Sequence, residues 1–170
     1  MFFLLYAEEH GLKSSLVIWV TRFRRSAQFR KTFVLIFYTM MILFRTLLNR
    51  NMWMNPVSDV IGVWGLYNDK GELTTEVLEN LALFIPFTVL LLWNFQEKLI
   101  DRQVRFFKMI WKCMEIVFLF SLTIETLQLL FRLGTFQLSD LFYNTLGGFI
   151  GGLIYWVGYK MVHRKKKKEQ

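Results

Sequence analysis

Four stretches of this chain stay apolar for about the length of a membrane helix, and polar residues gather between them. The first is "TFVLIFYTMMILFRTLL", Thr32 to Leu48, and the second is "NLALFIPFTVLLLWNF", Asn80 to Phe95. The third is "MIWKCMEIVFLFSLTIETLQLLF", Met109 to Phe131, and the fourth is "DLFYNTLGGFIGGLIYWVGYKMV", Asp140 to Val162. A bilayer core takes about 20 apolar residues per helix, within about 17–25. A backbone in lipid must also satisfy its own hydrogen bonds. The pattern predicts an all-α, polytopic membrane helical bundle with four transmembrane helices. The second stretch is short and contains Pro86, which removes one backbone bond and predicts a kink.

Upstream, "SSLVIWVTRFRRSAQFRK" couples Leu16, Val17, Ile18, Trp19 and Val20 to a basic end. It is too short to cross comfortably, so an interfacial helix on the cytoplasmic surface is expected. A fifth crossing is the alternative. The expected organisation is an N-terminal cytoplasmic or interfacial segment over 1–31, a four-helix transmembrane domain over 32–162, and a basic cytoplasmic tail over 163–170.

Composition supports this class. The chain has 170 residues, enough for one domain, and is 54% hydrophobic and 18% aromatic. The net charge of +8 is segregated, with basic clusters at "RFRRSAQFRK" and "HRKKKKEQ". Both clusters abut apolar stretches and no nucleic-acid signature accompanies them. They therefore read as positive-inside flanks with some attraction to anionic headgroups. The loop between stretches two and three holds Lys98, Arg102, Arg105 and Lys108. The loop between stretches one and two sets Arg50 and Lys70 against Asp59, Asp69, Glu72, Glu76 and Glu79. Both ends are therefore expected inside. Cys113 is the single cysteine, and His10 and His163 lie at opposite ends, so neither a zinc site nor any cofactor is expected. The start "MFFLLYAEEHG" lacks the features of a signal peptide.

With that topology, polar residues from four segments reach one level, the outer leaflet. Arg45 and Asn49 end the first helix, and Glu79 and Asn80 start the second. Glu125, Gln128 and Arg132 fill the outer third of the third helix, and Asp140 and Asn144 open the fourth. Ser121, Glu125, Gln128 and Arg132 are spaced four, three and four apart, which makes one helical stripe. Asp140, Asn144, Gly147 or Gly148, and Gly151 form a similar stripe. The third and fourth helices should then pair as an antiparallel hairpin. In "GGFIGG", Gly147 with Gly151 and Gly148 with Gly152 form small-xxx-small pairs, whose expected role is close helix packing.

An acid at membrane depth costs about 2.5–3.5 kcal/mol on insertion scales. Glu125 could repay this through an ion pair with Arg45 or Arg132, or by lining a polar pocket open to the outside; the pocket is the preferred reading. Arg132 could simply snorkel, and Asp140 could cap the fourth helix. Lys112 and Glu115 are expected to form a surface pair. The candidate ligand pocket comprises Arg45, Asn80, Glu125, Gln128, Arg132, Asp140 and Asn144.

The pieces "ENLALFIPFTVLL", "SLTIETLQ" and "DLFYNTLGGFIGG", in that order, with Arg45 at the outer end of the first helix, resemble the VanZ family of bacterial membrane proteins. Thr88 stands where the family motif usually has glycine. The resemblance implies a link to lipoglycopeptide resistance, teicoplanin above all, in Gram-positive bacteria. It places the chain in the bacterial plasma membrane. The expected partners are membrane lipids and an amphiphile, either a lipoglycopeptide or a lipid-linked cell-wall precursor, and no nucleic acid. The expected mode is binding rather than catalysis. An intramembrane enzyme using Glu125 and Asp140, or a small transporter of a lipid-linked substrate, is the alternative. A scaffold for envelope proteins is a further one.

Overall fold

In a computed structural model, residues 11–48, 54–55, 57–67, 71–99 and 105–166 are described. His10, Asn49, Arg50, Asp69, Lys70, Arg102 and the tail after residue 166 lie outside them. The architecture is all-helical: α1 (Leu12–Arg25), α2 (Ala27–Leu43), α3 (Glu76–Leu99), α4 (Phe106–Phe131) and α5 (Leu138–Lys166). A π-helical turn, Phe44–Leu48, prolongs α2. Three helical stretches are long and apolar enough to cross a membrane: Ala27–Leu48, Glu76–Leu99 and Phe106–Phe131. α5 is not among them, because its glycines, its tyrosines and Asn144 dilute its apolar content. Its 29 residues nevertheless exceed the span of a bilayer core.

Ser26 alone separates α1 from α2. Its backbone is extended, its N–H donates to the Arg22 carbonyl, and its hydroxyl accepts from the Phe29 N–H as the N-cap of α2. Arg30 turns back and donates to the Phe23 and Arg24 carbonyls, which the end of α1 leaves unpaired. Trp19 and Phe23 then pack on Phe29 and Phe33 across the hinge. α1 is thus a separate helix folded against the base of α2.

α3 differs from expectation at its proline. The backbone stays helical through Pro86, and the non-helical dihedrals fall at Phe95 (φ −126°, ψ 16°). Pro86 cannot donate to the Ala82 carbonyl. The Tyr38 hydroxyl of α2 lies there instead, 3.1 Å from the Leu83 carbonyl and 3.4 Å from that of Ala82. A neighbouring helix therefore supplies the donor that proline removed.

α5 packs against α3 and α4 at once, and its paired glycines explain how. A Cβ on Gly147 would lie 3.0 Å from Phe84 Cβ, and one on Gly151 would lie 2.6 Å from the Ile85 carbonyl oxygen. On the adjoining face, a Cβ on Gly148 would lie 2.8 Å from Val117, and one on Gly152 would lie 3.0 Å from Ile110 and 3.3 Å from Cys113 Sγ. One glycine pair thus meets α3 and the other meets α4. Thr88 is fully buried, bonds its own helix at the Phe84 carbonyl, and faces Gly151. Apolar contacts complete the core through Leu35, Ile42, Phe84, Phe87, Val117 and Ile124, with a second cluster of Leu92, Met109, Ile110 and Cys113. The exterior is apolar as well: Ile36, Phe37, Met40, Leu119 and Ile154 are exposed, as a lipid-facing surface requires. Lys112 and Glu115 form the expected surface pair at 2.8 Å.

Gly151→Leu is expected to destabilise the fold by about 1–3 kcal/mol or more through overpacking against backbone. Gly158→Ala, at a position with open space around its Cβ, should be neutral or stabilising by up to about 1 kcal/mol. Equilibrium unfolding of the purified protein in mixed micelles checks both.

Candidate functional site

The third and fourth long helices do form the expected hairpin, and Glu125 helps to turn it. α4 ends at Arg132, which takes the left-handed conformation (φ 54°), and the Leu133 N–H returns to the Gln128 carbonyl at 2.9 Å. This is a helix-terminating geometry in which glycine is the usual residue. Glu125 is only 2% exposed. Its Oε2 accepts the backbone N–H of Gln137 at 3.0 Å, just before α5 begins. The carboxylate thereby takes up a donor of the connection itself.

Deeper along the same stripe, Asn144 Nδ2 donates to Ser121 Oγ at 2.8 Å, directly across the hairpin. Gln128 Nε2 donates to the Thr46 carbonyl in the π-helical turn at 2.8 Å, tying α4 to the end of α2. Gln128 Oε1 and Asn144 Oδ1 are buried and meet no partner among the described residues. Each keeps one acceptor available for a donor such as an ordered water.

At the end of the bundle lies a polar cavity of about 290 Å3 lined by Asp59, Glu76, Glu79, Asn80, Gln137 and Asp140, with Ser58 and Thr135. α3 supplies Glu76, Glu79 and Asn80 from its first turns, and α5 supplies Asp140. Asn80 Nδ2 donates to Asp140 Oδ1 at 2.7 Å, joining the two helices. α5 begins at Leu138, so Asp140 lies inside its first turn and is not its N-cap. The Leu138 and Ser139 N–H groups instead donate to the Val60 and Ile61 carbonyls at 2.9 and 3.3 Å.

Those carbonyls belong to residues 57–67, which fold over the bundle end and close one side of the cavity. Asp59 accepts from the Gly62 N–H and, through its other oxygen, from Gln137 Nε2 at 2.9 Å. Gly62 has φ +71°, and a Cβ there would collide with Ser139 Oγ, so glycine is required on both counts. Trp64 stacks obliquely on Phe142 and Tyr143, and the Gly65 N–H donates to the Tyr143 hydroxyl.

Beside the cavity, between α2 and α3, runs an apolar groove of about 550 Å3. Phe37, Met41, Phe44, Leu48 and Leu83 line it, with Arg45 at its rim. Arg45, in the π-helical turn, pairs with Glu79 of α3, and both side chains are about half exposed. Thr75 holds the other Glu79 oxygen at 2.7 Å. The ion pair therefore stands where groove and cavity meet.

Of the residues expected to form the pocket, Asn80 and Asp140 line the cavity, and Arg45 borders the groove. Glu125, Gln128 and Asn144 are buried behind these surfaces and join helices. Arg132 is exposed at the α4 terminus. Arg45 pairs with Glu79, rather than with Glu125 as the sequence allowed. Asp59, Glu76, Glu79 and Gln137 line the cavity without belonging to the expected pocket. The acidic charge of the segment before α3 is visible in the sequence, but the return of residues 57–67 onto α5 depends on long-range contacts without periodic pattern. Among the described residues, no group of three or more His, Cys, Asp or Glu side chains is placed to hold a metal ion.

Long apolar helices, an apolar exterior and polar groups collected inside one end define a polytopic helical membrane protein. The chain belongs to the VanZ/LLP1 family, whose profile matches residues 12–159. It is 34% identical over 91 residues to protein VanZ of Enterococcus faecium, covering 54% of this chain and 50% of that protein. The chain thus aligns with about half the length of that relative. No solved structure matches.

Glu125→Leu, which removes the acceptor for the Gln137 N–H, is expected to cost about 1–3 kcal/mol. Glu125→Gln retains an acceptor oxygen and should lose less. Unfolding of both variants in micelles measures the difference; equal stability of Glu125→Leu and the parent would refute the assigned role.

Proposed function

We propose that this chain spans the bacterial plasma membrane four times, with both ends in the cytoplasm, and binds an amphiphile at the outer leaflet. The acyl tail lies in the groove between α2 and α3, and the head group reaches over the ion pair into the polar cavity. The observation that carries this reading is the Arg45–Glu79 pair, which borders a groove lined by apolar side chains on one side and a cavity of carboxylates and amides on the other. An amphiphile needs that sequence of surfaces in that order.

The cavity's charge narrows the head group. Asp59, Glu76, Glu79 and Asp140 line it, and Arg45 is already paired with one of them. Such a lining favours ammonium, hydroxyl and amide groups and repels phosphate. By charge, an amino- or hydroxyl-bearing part of a tailed glycopeptide suits this lining better than the phosphate of a cell-wall precursor. This agrees with the link to glycopeptide and lipoglycopeptide resistance that the family resemblance implies. It also weighs against the intramembrane enzyme. Glu125, which that reading needs as acid or base, is buried and engaged with the backbone of the α4–α5 connection.

The test uses the full chain in nanodiscs, titrated with fluorescent teicoplanin and with a glycopeptide lacking the acyl tail. Only the tailed compound should bind well. Met41→Trp, which fills the groove, and Glu76→Gln, which removes a cavity charge, should each weaken binding by about tenfold, or about 1.4 kcal/mol. Susceptibility of cells expressing each variant should change in parallel. Equal binding of both compounds, or indifference to Met41→Trp, would overturn the proposal.

A further inference from the structure

At the opposite end of the bundle from the outer cavity, α2, α3 and α5 line a second, open cavity of about 710 Å3. The proposed function does not use it. Its walls are fixed by side-chain bonds between helices. Asn94 of α3 donates to the Lys31 carbonyl at 2.8 Å, and its oxygen lies 3.0 Å from Thr32 Oγ1 and 3.4 Å from Gln28 Nε2. The Tyr155 hydroxyl of α5 donates to Gln96 Oε1 of α3. Between these bonds the α3 backbone leaves helical geometry at Phe95, which itself lines the cavity.

The charged lining is distinctive. Lys31 and Lys98 both border the cavity, with Glu97 as the carboxylate beside them. Neither lysine forms an ion pair among the described residues. Each is instead held near a ring: the Lys31 ammonium is 4.8 Å from the Trp93 ring centroid and that of Lys98 is 5.8 Å from Phe95. A ring face steadies an ammonium but takes none of its hydrogen bonds in the way an anionic oxygen does. Two positioned ammonium groups with the neighbouring Gln28 and Gln96 amide N–H groups match an anion with several acceptor oxygens.

We propose that this cavity is a site for the phosphate headgroup of an acidic phospholipid. Depth favours a lipid source. Trp93, Tyr155, Tyr159 and Trp156 lie at this end, where the basic flanks also gather, and such residues mark a membrane interface. Lys160 sits 3.9 Å from the Trp156 ring centroid, a third lysine–aromatic pair at the same end. Trp93 is half exposed on the outside of α3 and offers an apolar surface beside which acyl chains can lie. Phosphate is therefore already present at this level as part of the bilayer.

Native mass spectrometry of the detergent-solubilised full chain tests the site. The protein is titrated with phosphatidylglycerol, with phosphatidylcholine of the same acyl chains, and with inorganic phosphate. The parent should retain phosphatidylglycerol selectively. Lys31→Gln combined with Lys98→Gln should weaken that binding by roughly tenfold or more, the scale expected for two lysine–headgroup attractions. Lys13→Gln with Arg24→Gln removes the same charge from outside the cavity and should leave it unchanged. A thermal-shift measurement on each double variant confirms that it is folded. An equal loss in the Lys13/Arg24 variant would reduce the effect to diffuse surface charge and overturn the site. Equal retention of phosphatidylcholine would overturn the acidic-headgroup assignment, and inorganic phosphate binding as tightly as the lipid would overturn the lipid source. The outer-leaflet titrations with glycopeptide report separately, so either proposal can fail without the other.

Discussion

α5 can lie against α3 and α4 together only because its two glycine pairs leave no side chain where the neighbours come closest. In lipid, apolar side chains gain little by leaving the solvent for each other, so helix association relies on packing and on polar contacts. Gly147 and Gly151 admit the backbone of α3, while Gly148 and Gly152 admit Val117, Ile110 and Cys113 of α4. This double approach sets a register, and the polar contacts follow from it. Asn80 meets Asp140, Asn144 meets Ser121, and the α4–α5 connection meets Glu125. Moving α5 by one residue would rotate its glycines off both partners and separate all three contacts.

The buried polar groups therefore divide into two kinds. Glu125, Gln128 and Asn144 fix the hairpin and its junction with α2, so their desolvation is offset by specific inter-helix bonds. The cavity residues are different, because Asp59, Glu76 and Glu79 stand at an opening that the 57–67 loop partly covers. Thr88 belongs to neither kind, because its bond stays within α3. Its hydroxyl is satisfied by the Phe84 carbonyl of its own helix, so a residue larger than the family's usual glycine fits against Gly151 without an unpaired polar atom.

Much of this was legible in the sequence because lipid imposes strict patterns. The apolar lengths located α2 to α5, and of the four–three–four stripe Ser121 and Glu125 do meet α5 and its connection, while Gln128 turns to the end of α2 and Arg132 is exposed. The small-residue pairs predicted close packing, although not that each pair serves a different neighbour. What escaped prediction depended on context. Tyr38 supplies the donor lost at Pro86, so the helix runs on where proline alone argues for a kink. Arg45 meets Glu79 because a π-helical turn ends α2, and local spacing could not distinguish that partner from Glu125. The loop over the cavity has no period at all, and Gly62 gains meaning only once it meets Ser139, as Trp64 does once it meets Tyr143.

The two ends of the bundle carry opposite chemistry, and this connects topology with recognition. Carboxylates gather around the cavity at one end, while Lys31, Lys98 and Lys160 sit on aromatic rings at the other. The positive-inside rule concerns orientation and needs only that basic residues remain near the cytoplasmic flanks. It does not require Lys31 and Lys98 to border a cavity whose walls are pinned by Asn94 and Tyr155, nor the acidic residues to converge between α3, α5 and a folded loop. Charge used merely for orientation would be solvated and dispersed. Charge gathered around one concave volume instead presents a common field to a ligand of opposite sign. Segregated charge thus gives the two ends of the bundle different linings, rich in carboxylates at one and bearing Lys31 and Lys98 at the other.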